Sequence, residues 1–159
     1  MVFKVFISHS MEDAWIVYEL HDLLKINGIE AYVAEWSLAP GVSLSEKIKA
    51  AIRECHCFLV LLTRDGTRSQ WVHQELGIAE AYKKIIIPLV EKGVELSGLL
   101  EGKEVIYFER SDPSAAIKNA TEVIRQLKMK KESGDAMIGV AAVALGLIGL
   151  SALAEAQES

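Results

Sequence analysis

The chain has 159 residues, enough for one domain and a short appendage, and a formal net charge of −5. Its charged fraction, 25%, is ordinary for a soluble domain, whereas the hydrophobic fraction, 51%, is high. The acidic balance, with no Arg/Lys stripe interleaved with aromatics, excludes a nucleic-acid binder, and Cys55 and Cys57 lie too close together to staple a fold, which fits a reducing compartment.

Met1–Ser8 holds one lysine and an apolar run too short for a signal peptide, so none is expected. Val2–Ser8 alternates and is rich in Val, Phe and Ile, which predicts a first strand. Ser10-Met-Glu-Asp13 has the form of a capping box with Asp in place of Glu. It opens a helix whose apolar positions Ala14, Val17, Leu20, Leu23 and Leu24 recur at helical spacing. Trp15, in its first turns, is expected to pack, and Asn27-Gly28 ends the helix. Glu30–Ala34 reads as a second strand, followed by a loop with Trp36, Pro40 and Gly41. Ser43-x-x-Glu46 is a full capping box that starts a helix to about Glu54.

Cys57–Thr63 is a continuous apolar run, as expected of a central parallel strand covered on both faces. Arg64–Ser69 is a polar turn, and Gln70 to about Lys83 is a third helix. Ile85–Val90 is a fourth strand, with Pro88 predicting an irregular end. Glu91–Lys103 shows no clear pattern. Val105–Phe108 is a fifth strand, and Asp112-Pro113 caps a last helix, Pro at its first position, running to about Lys131.

Strand and helix alternate throughout, which predicts an α/β fold: a flavodoxin-like five-stranded parallel sheet of order 2-1-3-4-5 with helices on both faces. In such a sheet ligands bind outside the carboxyl ends of strands 1 and 3, where the order reverses. Ser8-His9-Ser10 and Thr63–Ser69 flank that crevice. The second leads into Trp71 and Glu75, which lie four apart and so share a helix face. An indole beside a carboxylate can hold a sugar or base and stabilise positive charge developing on a ribose.

Each residue also has a plainer reading. Taken by itself Glu75 reads as a solvated helix residue, but its spacing from Trp71 and its place at the switch point favour a functional role; a core anchor is the lesser reading of Trp71. His73 points away from Glu75 by helical phase. His9 and Ser10 are adjacent with no acid to orient them, so nucleophilic catalysis by that pair is disfavoured. Strand alternation at Cys55-His56-Cys57 is expected to send both sulfurs one way and the imidazole the other, which argues against a metal. No G-x-G-x-x-G or Walker pattern occurs.

Val5-Phe-Ile-Ser-His-Ser10 with Asp13 resembles the first box of a TIR (Toll/interleukin-1 receptor) domain. Leu38-Ala-Pro-Gly41 followed by Ser43–Glu46 resembles the second, and Ser69-Gln-Trp71-Val-His-Gln-Glu75-Leu resembles the helix carrying the glutamate of TIR domains that cleave NAD. The likeness covers roughly residues 1–130. The third box of animal receptors is not clearly present (Tyr107-Phe108 is nearest), which favours the microbial branch. The resemblance implies an NAD⁺ nucleosidase, with Glu75 as catalytic residue and Trp71, Ser8, His9 and Trp36 against the substrate. NAD⁺ is then substrate, with no separate cofactor and no metal, and the implied setting is stress or antiviral signalling. The other function to weigh is a non-enzymatic adaptor that assembles with other TIR domains. A flavodoxin-like response domain is disfavoured because Ser8 and Thr63 stand where its Mg²⁺-binding acids would be.

Ala136–Ala154 is nineteen residues without a charge. As a helix it would reach about 28 Å, close to a bilayer core. Lys128, Lys130 and Lys131 precede it and favour a cytoplasmic domain. Gly139, Ala142, Gly146 and Gly149 form a seam of small residues suited to close helix contact. The expected organisation is a TIR domain over 1–131, a polar linker over 132–135 and a membrane tail anchor over 136–154, self-associating through both domain and tail. A helix that associates with its copies in water is the alternative.

Overall fold

The computed structural model describes residues 2–10, 13–33, 44–64, 69–96 and 98–134. Five parallel strands form one sheet: β1 (Phe3–Ser8), β2 (Ile29–Val33), β3 (Cys57–Leu62), β4 (Ile85–Glu91) and β5 (Ile106–Phe108), in the order β2-β1-β3-β4-β5. Helices α1 (Ala14–Ile26), α2 (Leu44–Glu54), α3 (Gln70–Ala81) and α4 (Ser114–Glu132) make the crossovers, and a 3-10 turn, Gly98–Leu100, fills part of the stretch before β5. Architecture and strand order agree with the expectation from the alternating pattern.

The central strand is apolar on both faces because it is covered on both. Cys57, Leu59 and Leu61 point into one core, with Phe3, Val5 and Ile7 of β1 beside them and α1 and α4 above. Phe58, Val60 and Leu62 point into the other, with Phe6 and the inner faces of α2 and α3. A residue's odd or even place on its strand thus selects its core.

Local chemistry sets the element ends. Asn27 caps α1 and Gly28 follows with φ of +71°, the left-handed turn that glycine adopts without strain. The Ser69 hydroxyl accepts the Val72 amide at 3.3 Å and starts α3. Pro113 stands one place before α4, whereas the sequence puts it at the first helical position.

Several expectations are corrected. Pro88 lies inside β4, opposite Val60, and not at its end. The neighbouring β5 pairs only with Leu89–Glu91, so one side of β4 has no ladder at Pro88 to interrupt. Trp15 is 43% exposed, because the inner face of α1 is made by Ile16, Val17, Leu20 and Leu24. Cys55 and Cys57 do not point the same way: Cys55, still short of the strand, packs in the α2/α3 core and Cys57 in the other. Burial raises the Cys55 thiol to about 11 and the Cys57 thiol well above its ordinary value, so neither is a thiolate at neutral pH. His56 between them stacks on Phe3, centroids 4.8 Å apart, and its Nδ1 accepts the Lys4 amide at 2.8 Å.

Among the described residues no helix is long and apolar enough to cross a membrane. The expected anchor over 136–154, most of the second-box loop with Trp36, Pro40 and Gly41, and the Ser43 cap lie outside the described residues.

Candidate active site

Helix α3 buries Val72, Glu75, Leu76 and Ala79 against the sheet. Glu75 therefore occupies a place where helical spacing calls for an apolar side chain, and it is only 2% exposed. A carboxylate so placed needs hydrogen-bond partners. Ser8, the last residue of β1, supplies one: its Oγ donates to Glu75 Oε1 at 3.0 Å, with both groups buried. Position and function are linked here. Ser8 follows Phe6 at the even spacing that faces α3, and it sits at the carboxyl end of β1, beside β3, where the strand order reverses.

Trp71, one helical turn before Glu75, is half-buried and packs on the same core. It is neither a full core anchor nor a free surface aromatic. His73 is exposed, as its helical phase requires. His9 is buried, and its Nδ1 donates to the Ser10 carbonyl at 2.6 Å. The structure thus joins Ser8 to Glu75 directly and sets Trp71 on the same helix. It ties His9 to its own loop, and Trp36 is outside the described residues.

Two features of this edge are not evident from the sequence. The first is a clamp beneath the loop after β1. Ser10 Oγ donates to Asp13 Oδ2 at 2.7 Å, and Thr63 Oγ1, just past β3, donates to the same oxygen at 2.5 Å. Arg110, after β5, donates to Asp13 Oδ1 at 3.3 Å and to Glu91 Oε1 at 3.4 Å. The Arg64 amide donates to Glu91 Oε2 at 3.1 Å. Asp13 is fully buried and Glu91 nearly so. Ser10-x-x-Asp13 is thus not the capping box its spacing predicts. The serine hydroxyl donates to the aspartate, which holds the loops after β1, β3 and β5 together, and Asp13 makes no side-chain cap to α1. The spacing is identical in both arrangements; only the cross-sheet partners distinguish them.

The second is Tyr32 on β2. It lies opposite Phe6 in the sheet register, and the two rings stack with centroids 5.4 Å apart and planes at 22°. Its phenol is raised above the usual tyrosine range, first by burial and then by the nearby negative charge of Glu75. Its in-phase position with Phe6 was the available signal, but that needs the register between strands, which spacing within one strand does not contain.

Two surface grooves lie elsewhere, one between α1 and α4 (Glu19, Asp22, Ile26, Ile117, Lys118) and one along the outer edge of β2 (Val2, His21, Ile29, Ala31). Neither includes Ser8, Trp71 or Glu75, and neither gathers a comparable set of buried polar groups.

Comparison with known proteins bears on this edge. The family model described as TIR domain matches residues 5–121. A protein named probable 2′ cyclic ADP-D-ribose synthase, from Brachypodium distachyon, is 30% identical over 89 residues, 55% of this chain and 40% of its own length. A 2′ cyclic ADP-D-ribose synthase from Bacteroides thetaiotaomicron is 30% identical over 95 residues, 57% of this chain and 33% of its own. Toll-like receptor 6 of Dasypus novemcinctus is 32% identical over 96 residues, 56% of this chain and 12% of the receptor. The chain thus spans less than half the length of each of these relatives. Among solved structures, the TIR domain of a Toll-related receptor from Hydra magnipapillata superposes with a TM-score of 0.65 at 24% identity, covering 76% of this chain and 97% of that one, a likeness of fold.

Proposed function

The chain belongs to the TIR-domain family, and on that premise we propose that it is an NAD⁺ nucleosidase that cleaves the bond between nicotinamide and ribose. The observation that carries the reading is the buried Glu75 carboxylate, held by Ser8 at the carboxyl end of β1. The names of the plant and bacterial relatives, both synthases of a cyclic ADP-ribose, support it.

The chemistry follows from the groups present. The C1′–N bond breaks with its electron pair passing to the pyridine nitrogen, so nicotinamide leaves neutral and needs no general acid. Positive charge moves onto the ribose ring, as in glycoside cleavage. A fixed carboxylate in a site shielded from water stabilises that charge without reorganising. Ser8 keeps the carboxylate oriented, and Trp71 offers an aromatic wall one turn away. Water adding at C1′ and losing a proton gives ADP-ribose; an internal nucleophile gives a cyclic product. NAD⁺ is the substrate, no metal takes part, and His9 and Trp36 complete the substrate contacts in this reading. The uncharged stretch 136–154 supports a tether to a membrane, with the domain on the cytoplasmic side and copies gathered by domain and tail. The setting is stress or defence signalling.

The test is nicotinamide release from NAD⁺ by the purified full chain, both dilute and clustered on a support, beside Glu75→Gln. Release that the variant abolishes upholds the proposal. The match to a Toll-like receptor favours a second reading, an adaptor that assembles with other TIR domains. An adaptor releases no nicotinamide in either format yet still self-associates.

A further inference from the structure

Tyr32 is a half-buried side chain with a buried hydroxyl oxygen, and the reaction above does not use it. It faces the α2/α3 side of the sheet, stacked on Phe6, and Ser8 lies two residues beyond Phe6 on that same face. In a sheet this makes Tyr32 the diagonal neighbour of Ser8, within reach of a long aromatic side chain. Ser8 in turn holds Glu75. The phenolic oxygen is buried and has no hydrogen-bond partner among the described residues. A phenylalanine would keep the stack on Phe6 and would break no hydrogen bond among the described residues, so the hydroxyl adds nothing to their stability. Burial and the Glu75 charge both disfavour ionisation, so the phenol is a hydrogen-bond donor at neutral pH.

A donor and a carboxylate acceptor on one wall call for a ligand group that both donates and accepts. A sugar hydroxyl does both with one oxygen: it donates to the carboxylate and accepts from the phenol. We infer that Tyr32 is a substrate-binding residue of the Glu75 site, its hydroxyl bonding the same ribose hydroxyl that Glu75 engages, so that the pair selects ribose over deoxyribose. This rests on the nucleosidase reading. It adds a specificity element from β2, an element that otherwise only supports the sheet.

The experiment compares wild type, Tyr32→Phe and Glu75→Gln by nicotinamide release, using NAD⁺ and its 2′-deoxy and 3′-deoxy analogues on the nicotinamide side, with thermal melting of each protein. The expected result is a roughly tenfold lower kcat/KM for Tyr32→Phe on NAD⁺, with a melting temperature equal to or above wild type. On the analogue that lacks the contacted hydroxyl, the two proteins should differ less than twofold. Wild-type-like kcat/KM in Tyr32→Phe, or an equal loss on all three substrates, overturns the role of Tyr32 and leaves the nucleosidase reading standing. A variant that loses activity and also melts lower assigns Tyr32 to packing and overturns it too. A wild-type chain that releases no nicotinamide, dilute or clustered, removes both readings together.

Discussion

Ser8 and Glu75 stand 67 residues apart in the chain and are joined by one buried hydrogen bond of 3.0 Å. The contact locks the end of the first strand to the first turns of the third helix, and it fixes which way the carboxylate faces. Ser8→Ala should therefore lower nicotinamide release about 10- to 100-fold through misorientation. It should also lower stability by about 1–3 kcal/mol, since a hydrogen bond to a buried charged group is lost. Glu75→Gln keeps an acceptor for Ser8, so it should melt near wild type while losing the activity. Release assays and thermal melts on the two variants check this; a fully active Ser8→Ala protein would reassign the orienting group.

Asp13 is the hub of the second network and Arg110 only one of its partners. Asp13→Ala removes the buried carboxylate that accepts from the Ser10 and Thr63 hydroxyls and pairs with Arg110, and should destabilise by about 3–5 kcal/mol. Arg110 is 40% exposed, so water screens its ion pairs, and Arg110→Met should lose about 1–2 kcal/mol. Urea unfolding orders the two. The reverse order would make the arginine the organising group.

His56 gives the sheet a pH dependence at the end opposite the site. Its Nδ1 accepts the Lys4 amide, which requires the neutral ring, and burial with Lys131, Lys84 and Lys4 nearby lowers its pKa from 6.5. The folded chain therefore binds fewer protons than the unfolded chain between that lowered value and 6.5, so stability rises with pH across this window. The contribution is complete above 6.5 and is lost as pH falls toward the folded value. Urea midpoints measured from pH 5 to 7.5 should climb for wild type and flatten over that interval in His56→Asn. Equal slopes in the two proteins would place the dependence elsewhere.

The stretch 136–154 gives a prediction independent of the site. The full chain expressed in cells should sediment with membranes and resist extraction by high salt, because nineteen uncharged residues would reach about 28 Å as a helix, the thickness of a bilayer core. A chain ending at Gly134 should move to the supernatant. Sedimentation of the shortened chain would assign membrane association to the domain and not to the tail.

Much of this edge is legible one segment at a time. The apolar run at Cys57–Leu62 and the alternation of Phe3–Ser8 mark central strands, and the order of elements leads to the reversal between β1 and β3. That is enough to bring the loop after Ser8 and the helix of Trp71 and Glu75 to one edge of the sheet. Glu75 within the stripe Val72, Leu76 and Ala79 also signals a carboxylate that faces inward. The sequence reading of Trp15 as packed fails because Ile16 and Val17 already fill the inner face of α1.

Periodicity and caps are local: the repeats of 2.0 and 3.6 residues and the turn chemistry of Asn27-Gly28 act within a few residues, so the chain itself carries them. Which side chains meet across the sheet depends on strand register and crossover placement, and these are properties of the assembled layers. The sequence alone therefore determined the alternating α/β architecture and the neighbourhood of Glu75. Tertiary structure alone decided that Ser8 holds that glutamate, that Tyr32 of β2 stacks on Phe6 on the sheet face that Ser8 shares, and that Asp13 clamps loops where its spacing reads as a helix cap.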